Sequence, residues 1–533
     1  MSAREWLSRP VHHVLIAAYP ILYLLGNNVG EVDPREGIVP VAMAVGAAVA
    51  LFLMLRFLLV SAPRAALGVT IVAVIALMYG HAATAVEPLG FSGTPLLVGW
   101  LLLGAVLIVV VSLVPGDLRG LTTVLNIGSV VLVVPSLVAI GGHLVSEPEL
   151  FVGGQRVEVN GSPRATSEPQ ATPGSPPRDI YYFILDGYGA PRALDQYLDV
   201  PDEGFMDWLE ASGFTVLRET RSNYGRMPLS LSSSMNMTYL DELAAELGPD
   251  NPHQGILNEM IKDAEVTAFL EDRGYSYVLL GSQYHGTAAS PVADVNPTFA
   301  QTSDFIGVLT QSTIFPSVAS TLGFEDDLSE RRRNYDAGIW QFETFPDLIE
   351  LPGPKFVFTH FFLPHEPFVV DEDGGYVSAE ADAARSISEQ HRTQLAFVNR
   401  EMQKLIEGLL AGPDETDPII IISPDHGPKT PGMPQVGPNI DWSGASDAEL
   451  DLVFSIFSAY HLPGVDDACV YPGMSSVNAF RLVFDLYFDA GLPLLPDRSY
   501  IHRDRSHPYD LTDVTDRLPS SGAGSATETA CDP

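Results

Sequence analysis

An aspartate and a histidine stand side by side at Asp425 and His426, directly after an apolar run. That run, Ile419 to Ile422, is β-branched throughout and predicts a strand buried on both faces. In open α/β sheets, ligands bind beyond the carboxyl ends of the strands. Gly427 lets the chain turn sharply there, and a carboxylate beside an imidazole suits a hard or borderline cation. The pair therefore predicts one half of a metal site.

Two other strand-like runs end in residues of the same kind. The first of them ends at Asp186, and a later one leads to His365. Asp186, Asp425 and His426 would offer two oxygen ligands and one nitrogen ligand, leaving positions open for a substrate, as a catalytic metal requires. His365 would donate to a substrate oxyanion or bind a second cation. The sequence thus predicts that these four side chains converge at one edge of a sheet.

Strand-like and helix-like segments alternate around these residues. A helix with apolar residues at helical spacing from Leu395 to Leu409 precedes the last strand. His360 lies within one of the predicted strands and is interpreted as a core histidine. The alternation predicts an α/β domain over residues 179–510 with a largely parallel central sheet. Its strands are predicted at residues 180–185, 277–280, 356–362 and 419–422.

The first 144 residues differ from the rest in charge. They contain six acidic residues, six arginines and no lysine, so the net charge of −37 lies in the remainder of the chain. A neutral, apolar first part and an acidic second part predict a helical membrane module, residues 1–145, joined to a domain in water.

This module contains five apolar stretches, and all but the first, which is the shortest, approach the ~20 residues that a helix needs to span a bilayer. They run over residues 11–25, 38–60, 66–86, 95–114 and 121–144. Arg35 falls on one side of these predicted spans. On the other side fall five arginines: Arg4, Arg9, Arg56, Arg64 and Arg119. The positive-inside rule then places the N-terminus in the cytoplasm and the domain that follows five crossings outside it. If the first stretch does not span the bilayer, this predicted topology inverts.

The remaining segments carry fewer signals. Residues 146–178 are rich in Pro, Ser, Gly and Thr and are predicted to be a linker, and residues 511–533 are predicted to be a disordered tail. Cys469 and Cys531 are too few for a disulfide framework, and a bond between them is not favoured. The acidic composition argues against nucleic acid as a partner, because phosphates need basic contacts.

Seven segments of the predicted α/β domain resemble, in order, the sulfatase-like branch of the alkaline phosphatase superfamily. The resemblance is closest to the membrane-anchored type, which includes lipoteichoic acid synthases and phosphoglycerol or phosphoethanolamine transferases. It covers nearly all of residues 179–500. The segments are Tyr181–Tyr188, Ser222–Tyr224, Ser230–Leu231, Ser233–Met237, Phe361–Phe368, Asp425–Pro428 and Ser476–Arg481.

The resemblance implies a membrane-anchored enzyme that hydrolyses or transfers phosphoric or sulfuric esters outside the cytoplasm. Its substrate would be anionic and could be lipid-linked. Asp186, Asp425 and His426 would hold one divalent metal ion, with manganese, magnesium, calcium and zinc all open. His365 would contact the transferred phosphate or sulfate group. The nucleophile of the family, usually a threonine, would attack phosphorus or sulfur and form a covalent intermediate.

The chain departs from the family at this nucleophile. In the register of the resemblance, Met227 stands where the threonine is expected. A thioether has no proton to lose, and it is a poor ligand for a hard cation. The segment also lacks a cysteine, which excludes the cysteine-derived aldehyde of true sulfatases.

Three interpretations of this departure are open. The enzyme could be active with Ser230 as a substitute nucleophile, whereas Ser232 to Ser234 are interpreted as polar residues of a helix. A metal could instead activate water without a covalent intermediate. The third interpretation is a pseudoenzyme that binds an anionic head group or a partner in envelope assembly. Arg226, next to Met227, would suit the binding of an anion through its planar guanidinium.

Overall fold

A computed structural model of the protein divides the chain into two compact units. The helical unit comprises Met1–Val152 and Thr302–Glu330, and the sheet unit comprises Gly153–Gln301 and Arg331–Pro533. Most of the predicted linker lies outside the described residues. The structure describes residues 9–29, 32, 34–59, 61–86, 89, 91, 93–116, 118–146, 177–201, 203–299, 304–322, 330–413, 416–429, 441–465 and 469–519.

Apolar helices make up the described part of the helical unit before residue 152. Helices α2 and α5 are apolar on every side, and much of their apolar surface is exposed. A helix of this kind is suited to lipid rather than water on its outer face. The helices are α1 (His12–Asn27), α2 (Ile38–Leu59), α3 (Ala62–Leu77), α4 (Tyr79–Val86), α5 (Gly93–Leu113) and α6 (Arg119–Ser146).

Three segments of this unit are long and apolar enough to cross a bilayer: Pro34–Leu59, α5 and Arg119–Gly142. Helices α3 and α4 together make a fourth candidate, bent by 57° between them. Helix α1 has only 16 residues and packs against α2, α3 and α6. The described residues therefore provide three or four candidate spans, and the five predicted from the sequence are not confirmed.

Side-chain contacts show which helix ends lie together. Arg64, at the start of α3, donates to the carbonyl of Val114, just past the end of α5, at 2.8 Å. Asn126, early in α6, donates to the carbonyl of Arg9 at 2.7 Å and accepts from His12 N at 3.0 Å. The arginine-bearing ends of these helices thus lie at one end of the unit, as the sequence predicts.

The strands of the sheet unit form one six-stranded sheet and a small hairpin. The sheet has the order β2-β6-β5-β1-β4-β3, and β7 pairs with β8 in the hairpin. The strands are β1 (Ile180–Leu185), β2 (Thr215–Arg221), β3 (Ser276–Leu280), β4 (Lys355–Phe361), β5 (Ile419–Ile422), β6 (Ser455–His461), β7 (Tyr500–His502) and β8 (Leu511–Asp513).

The sheet is mixed, which corrects the largely parallel sheet predicted from the sequence. Strand β1 runs parallel to β4 and β5 on either side of it, and β3 runs parallel to β4. Strand β6 runs antiparallel to β5 and to β2. An apolar run shows that a strand is buried but not in which direction it runs, so the sequence pattern could not exclude β6.

Helices cover both faces of this sheet. Alternate residues of β1 enter different cores: Tyr181 and Phe183 join one cluster, and Tyr182 and Ile184 join the other. This alternation is the two-residue period of a strand that is buried on both faces.

The remaining helices among the described residues, in both units, are α7 (Pro191–Leu198), α8 (Glu203–Ala211), α9 (Met227–Asn236), α10 (Asp241–Leu247), α11 (Gly255–Lys262), α12 (Glu265–Glu271), α13 (His285–Ala288), α14 (Asp304–Ser312), α15 (Phe315–Thr321), α16 (Glu330–Ile349), α17 (Ala379–Ala383), α18 (Ile387–Leu409), α19 (Asp447–Phe454) and α20 (Ala479–Phe488).

The end of the chain departs from the sequence prediction in two places. Residues 511–513 form strand β8 and Val514 is buried, so ordered structure continues into the tail predicted from residue 511. Cys469 is disulfide-bonded. The sequence contains one other cysteine, Cys531, which lies outside the described residues.

Gly427 allows the chain to turn tightly after β5. Its N–H donates to the carbonyl of Val453 at 2.6 Å. A Cβ at this position would overlap the carbonyl oxygen of Leu452 and lie 3.0 Å from that of Ser455. Because these atoms belong to the main chain, a larger residue cannot be accommodated by rotating a side chain. The glycine therefore fixes the path that places Asp425 and His426 at the end of the sheet.

We expect Gly427→Ala to lower the free energy of unfolding by at least about 2 kcal/mol, because the main chain must shift to relieve the overlap. Gly204→Ala in α8 is the matched control, since a Cβ there meets nothing within 4 Å. That change should be neutral or stabilise by up to about 1 kcal/mol. Thermal unfolding of both variants tests the expectation, and equal midpoints for the two would contradict it.

Candidate metal and anion site

Three adjacent strands place the predicted site residues together. Strand β1 lies between β4 and β5, and all three run in the same direction, so their carboxyl ends share one edge of the sheet. Asp186 continues this pairing by donating its N–H to the Phe361 carbonyl at 3.0 Å. The sheet topology therefore brings the residues that follow the three strands into one place.

The two aspartates and His426 lie within a few ångström of one another. His426 Nε2 is 3.4 Å from Asp425 Oδ2 and 3.7 Å from Asp186 Oδ1. Gly187 N donates to Asp425 Oδ1 at 3.2 Å, which ties the β1 turn to the β5 turn. The His365 ring lies 6.0 Å from the His426 ring, centroid to centroid. The structure thus brings together the four side chains that the sequence predicts to converge.

A fifth side chain, His360, also belongs to this site. It lies on β4, opposite Ile184, and is fully buried. Its Nε2 lies 3.4 Å from Asp186 Oδ2, and its Nδ1 is 2.9 Å from the Thr287 hydroxyl. The interpretation of His360 as a core histidine was therefore incomplete. The sequence does contain a sign of this role, because His360 is an ionisable residue in an otherwise apolar strand that ends at the predicted site.

Hydrogen bonds to the Nδ1 atoms fix how the other two histidines present their rings. His426 Nδ1 lies 2.8 Å from the Gly427 carbonyl and His365 Nδ1 lies 2.5 Å from the Glu366 carbonyl, so each Nδ1 carries the hydrogen. A carbonyl partner on one ring nitrogen is the usual arrangement for a histidine that binds a metal through the other nitrogen. The Nε2 atom of His426 therefore carries no hydrogen and lies on the side of the two carboxylates.

Several polar atoms of the site are buried without a hydrogen-bond partner. They are both carboxylate oxygens of Asp186, Oδ2 of Asp425 and Nε2 of His360. Buried carboxylate oxygens are rarely left unpaired, because desolvation costs free energy that only a bond or a cation returns. The donor set therefore fits a divalent cation. Two overlapping groups could hold one: Asp186 with His365 and His426, and Asp186 with His360 and Asp425.

The charges of the site act strongly on one another. Burial and the neighbouring Asp186 carboxylate raise the pKa of Asp425 to about 7. Burial alone would raise the pKa of Asp186, but the surrounding imidazoles, chiefly that of His365, outweigh it and lower that pKa. Two adjacent buried carboxylates do not both ionise easily. A bound cation would relieve this repulsion.

Lys429 brings a positive charge to the site that sequence reasoning missed. Its ammonium donates to His426 Nε2 at 3.0 Å. Burial and this ammonium lower the pKa of His426, which keeps the imidazole neutral and able to accept. Burial, with a smaller contribution from the positive charge of Arg226, lowers the pKa of Lys429. The site therefore combines carboxylates that suit a cation with two cationic side chains that suit an anion.

Met227 and Ser230 lie on the first turn of α9. Met227 is the first residue of the helix, and its partly buried side chain packs against the core that contains Tyr182. Ser230 is buried, and its hydroxyl donates to the carbonyl oxygen of Asp425 at 2.7 Å. The hydroxyl of Ser230 thus binds the main chain of a site residue.

The serines that follow hold the helix and its neighbours together. Ser232 donates to the carbonyls of Pro228 and Leu257, and Ser233 donates to that of Thr238. These contacts agree with their interpretation as polar residues of a helix.

Comparisons with known proteins give structural matches only. No protein-family model and no curated protein sequence matches the chain. Among the matching structures is the zinc complex of the C-terminal periplasmic domain of EptC from Escherichia coli, at 14% identity, with 66% of this chain and 96% of that chain covered and a TM-score of 0.41.

Two further matches extend the comparison. The lipooligosaccharide phosphoethanolamine transferase EptA from Neisseria meningitidis, an integral membrane protein, matches at 12% identity over 91% of this chain and 95% of that chain, with a TM-score of 0.40. An alkaline phosphatase superfamily protein from Vibrio parahaemolyticus matches at 13% identity over 63% and 75%, with a TM-score of 0.36. At this degree of similarity, the chemistry of the chain has to be inferred from its own residues.

We expect Asp425→Asn to raise the melting temperature of the metal-free protein by about 2–4 °C, corresponding to about 1 kcal/mol. The amide can still accept from Gly187 N, and it removes one of two buried like charges. The same variant should lose the stabilisation that manganese or zinc gives the unsubstituted protein.

Melting curves with and without added metal measure both effects. Asp195→Asn, an exposed carboxylate on α7, is the control and should leave both quantities unchanged. A variant that still gains full stability from metal would show that Asp425 is not a ligand.

Proposed function

We propose that the protein is a membrane-anchored, divalent-metal-dependent hydrolase or transferase of phosphoric or sulfuric esters. The observation that carries this proposal is the set of unpaired buried oxygens on Asp186 and Asp425, close to His426 and the Lys429 ammonium that contacts it. A site that joins cation ligands to cationic side chains suits a substrate whose anionic group bridges the two. We infer a phosphate or sulfate ester because both offer several oxygens to such a site.

The residues around the ligands have separate roles in this proposal. A divalent cation in this place would supply Lewis acidity and would acidify a coordinated water. Lys429 and Arg226 bind the non-bridging oxygens of the ester. Burial alone would lower the pKa of His365, but the Asp186 and Glu366 carboxylates outweigh it and raise that pKa. The His365 imidazole is therefore suited to donate a proton or hydrogen bond to the transferred group.

The attacking group is not the side chain at position 227, because a thioether cannot form an alkoxide. Ser230 is the nearest hydroxyl along α9, but it donates to the Asp425 carbonyl. We therefore propose that Ser230 positions Asp425 and that the attack comes from water or from an acceptor hydroxyl. An enzyme of this kind needs no covalent intermediate.

The helical unit orients this chemistry across the membrane. Arg9, Arg64 and Arg119 lie at one end of it, and α6 starts at that end with Arg119 and runs to Ser146 at the other. The positive-inside rule places the arginine end in the cytoplasm whether or not α1 crosses the bilayer. The sheet unit therefore follows α6 on the outer side, where we propose that it acts on a lipid-linked ester.

The proposal is tested with the full chain purified in detergent. Bound metal is measured by mass spectrometry, and turnover is measured on aryl phosphates, phosphodiesters and sulfate esters. We expect metal-dependent turnover of at least one of these classes. Asp186→Asn should lower kcat/KM by about 10²-fold or more because it removes a shared ligand, and Asp195→Asn should not. Bound metal without turnover of any ester would instead indicate the pseudoenzyme.

The role of Ser230 has its own test. We expect Ser230→Ala to lower kcat by less than about tenfold, since loss of a true nucleophile costs far more, on the order of 10⁴-fold or greater. Ser232→Ala on the same helix controls for the loss of a buried hydroxyl. A collapse of activity in Ser230→Ala alone would show that the serine is the nucleophile. Higher activity in Met227→Thr would locate the missing group at position 227.

A further inference from the structure

Residues 304–322 lie in the sequence of the sheet unit but pack within the helical unit. They are inserted between β3 and α16 and form α14 and α15, and they are called the inserted segment here. One residue among these 19, Asp304, is charged. The segment thus differs sharply from the acidic sequence around it.

The inserted segment is anchored on the helix ends opposite to Arg9, Arg64 and Arg119. Phe305 is buried against Ile21 and Leu25, in the last turns of α1. The N–H of Ile314 donates to the carbonyl of Ala76, near the end of α3, at 2.8 Å. Ile314 also packs against Leu97, near the start of α5. These contacts fix the segment at the outer end of the helical unit.

The fit at this end depends on close approach of the main chains. A Cβ at Gly80 in α4 would overlap the carbonyl oxygen of Gln311 and lie 2.7 Å from Ser312 Cα. Only glycine permits this separation. The inserted segment therefore packs against the helical unit through close main-chain contact and not only through long side chains.

The outer surface of the inserted segment is apolar. Val308, Phe315 and Leu322 are exposed by 53%, 59% and 66%. Among the described residues, all other exposed large apolar side chains lie before residue 146, in the helical unit, and none lies in the sheet unit. The apolar surface of the segment thus continues that of the membrane helices and is unlike the surface that the sheet unit presents to water.

We propose that the inserted segment lies in the outer interface of the bilayer, with Val308, Phe315 and Leu322 in contact with lipid acyl chains. Short apolar helices that lie in the interface bind through buried apolar area. The absence of basic residues in the segment means that this contact is apolar rather than electrostatic. The segment is then a second membrane attachment of the chain, separate from the connection after α6.

This attachment is linked along the chain to the candidate site. Before the segment, Thr287 lies 2.9 Å from His360 Nδ1. After it, Gln341 of α16 donates to the carbonyl of His360 at 2.8 Å. The two stretches that lead into and out of the membrane contact therefore both hold one histidine of the site. If the proposed function holds, lipid contact would favour lipid-linked substrates.

The first experiment measures lipid contact directly and does not depend on activity. The full chain in nanodiscs is labelled with a fluorophore at Val308→Cys, Phe315→Cys or Leu322→Cys, with the unsubstituted protein as background. Acyl chains carrying a nitroxide quencher should quench all three labels. Leu102→Cys on α5 serves as the positive control, and Glu407→Cys on the exposed surface of α18 as the negative control.

Quenching at the three positions that is clearly stronger than at Glu407, by a nitroxide placed near the head-group end of the acyl chain, supports the proposal. Emission as strong as that at Glu407, with Leu102 quenched, would overturn it, as would burial of the three labels against a second copy of the chain. A second measurement uses Val308, Phe315 and Leu322 all replaced by serine. It should lower turnover of a lipid-linked ester in vesicles by about tenfold and leave turnover of a soluble aryl ester unchanged. This second measurement rests on the proposed function, whereas the quenching result stands even if the chain turns over no ester.

Discussion

The burial of two carboxylates side by side, Asp186 and Asp425, is the constraint on which the site depends. Like charges in a dry environment repel strongly, and neither carboxylate has enough hydrogen bonds to offset its desolvation. The surrounding residues supply what is missing: imidazoles hold Asp186 ionised, and Lys429 adds a positive charge nearby. Such a pair is unfavourable for folding unless a cation or a substrate binds to it. The carboxylate pair is therefore better explained by binding than by stability.

The main chain around the pair is held in place independently of any nucleophile. Gly427 fixes the turn after β5, and Gly187 N binds the Asp425 carboxylate. Ser230 binds the carbonyl of the same residue from α9. A methionine at position 227 disturbs none of these contacts, because its side chain packs into the adjoining core. A methionine at position 227 is thus compatible with an intact arrangement of the side chains that could hold a metal.

The sequence predicted the parts of the structure that have a local signature. The runs that became β1, β4 and β5 are apolar and end in chemistry-bearing residues, so both the strands and the convergence of Asp186, His365, Asp425 and His426 followed from them. The antiparallel direction of β6 leaves no trace in an apolar pattern. His360 resembles a core residue until its neighbour Asp186 is seen, and the contact of Lys429 with His426 is visible only in the folded chain.

The charge of the chain explains why a membrane contact of the kind proposed for the inserted segment would have to be apolar. The net charge of −37 lies outside the first 144 residues, so the sheet unit is repelled by anionic head groups rather than attracted to them. Electrostatic attraction by a basic patch, which commonly holds a domain at a membrane, would therefore be opposed by the net charge of this chain. An uncharged segment with exposed Val308, Phe315 and Leu322 avoids that conflict, because burial of apolar area does not depend on the sign of the lipid charge. The same negative charge would keep the rest of the sheet unit in water, so that lipid contact outside the membrane helices would be confined to the inserted segment. The stretches before and after that segment contact His360 through Thr287 and Gln341.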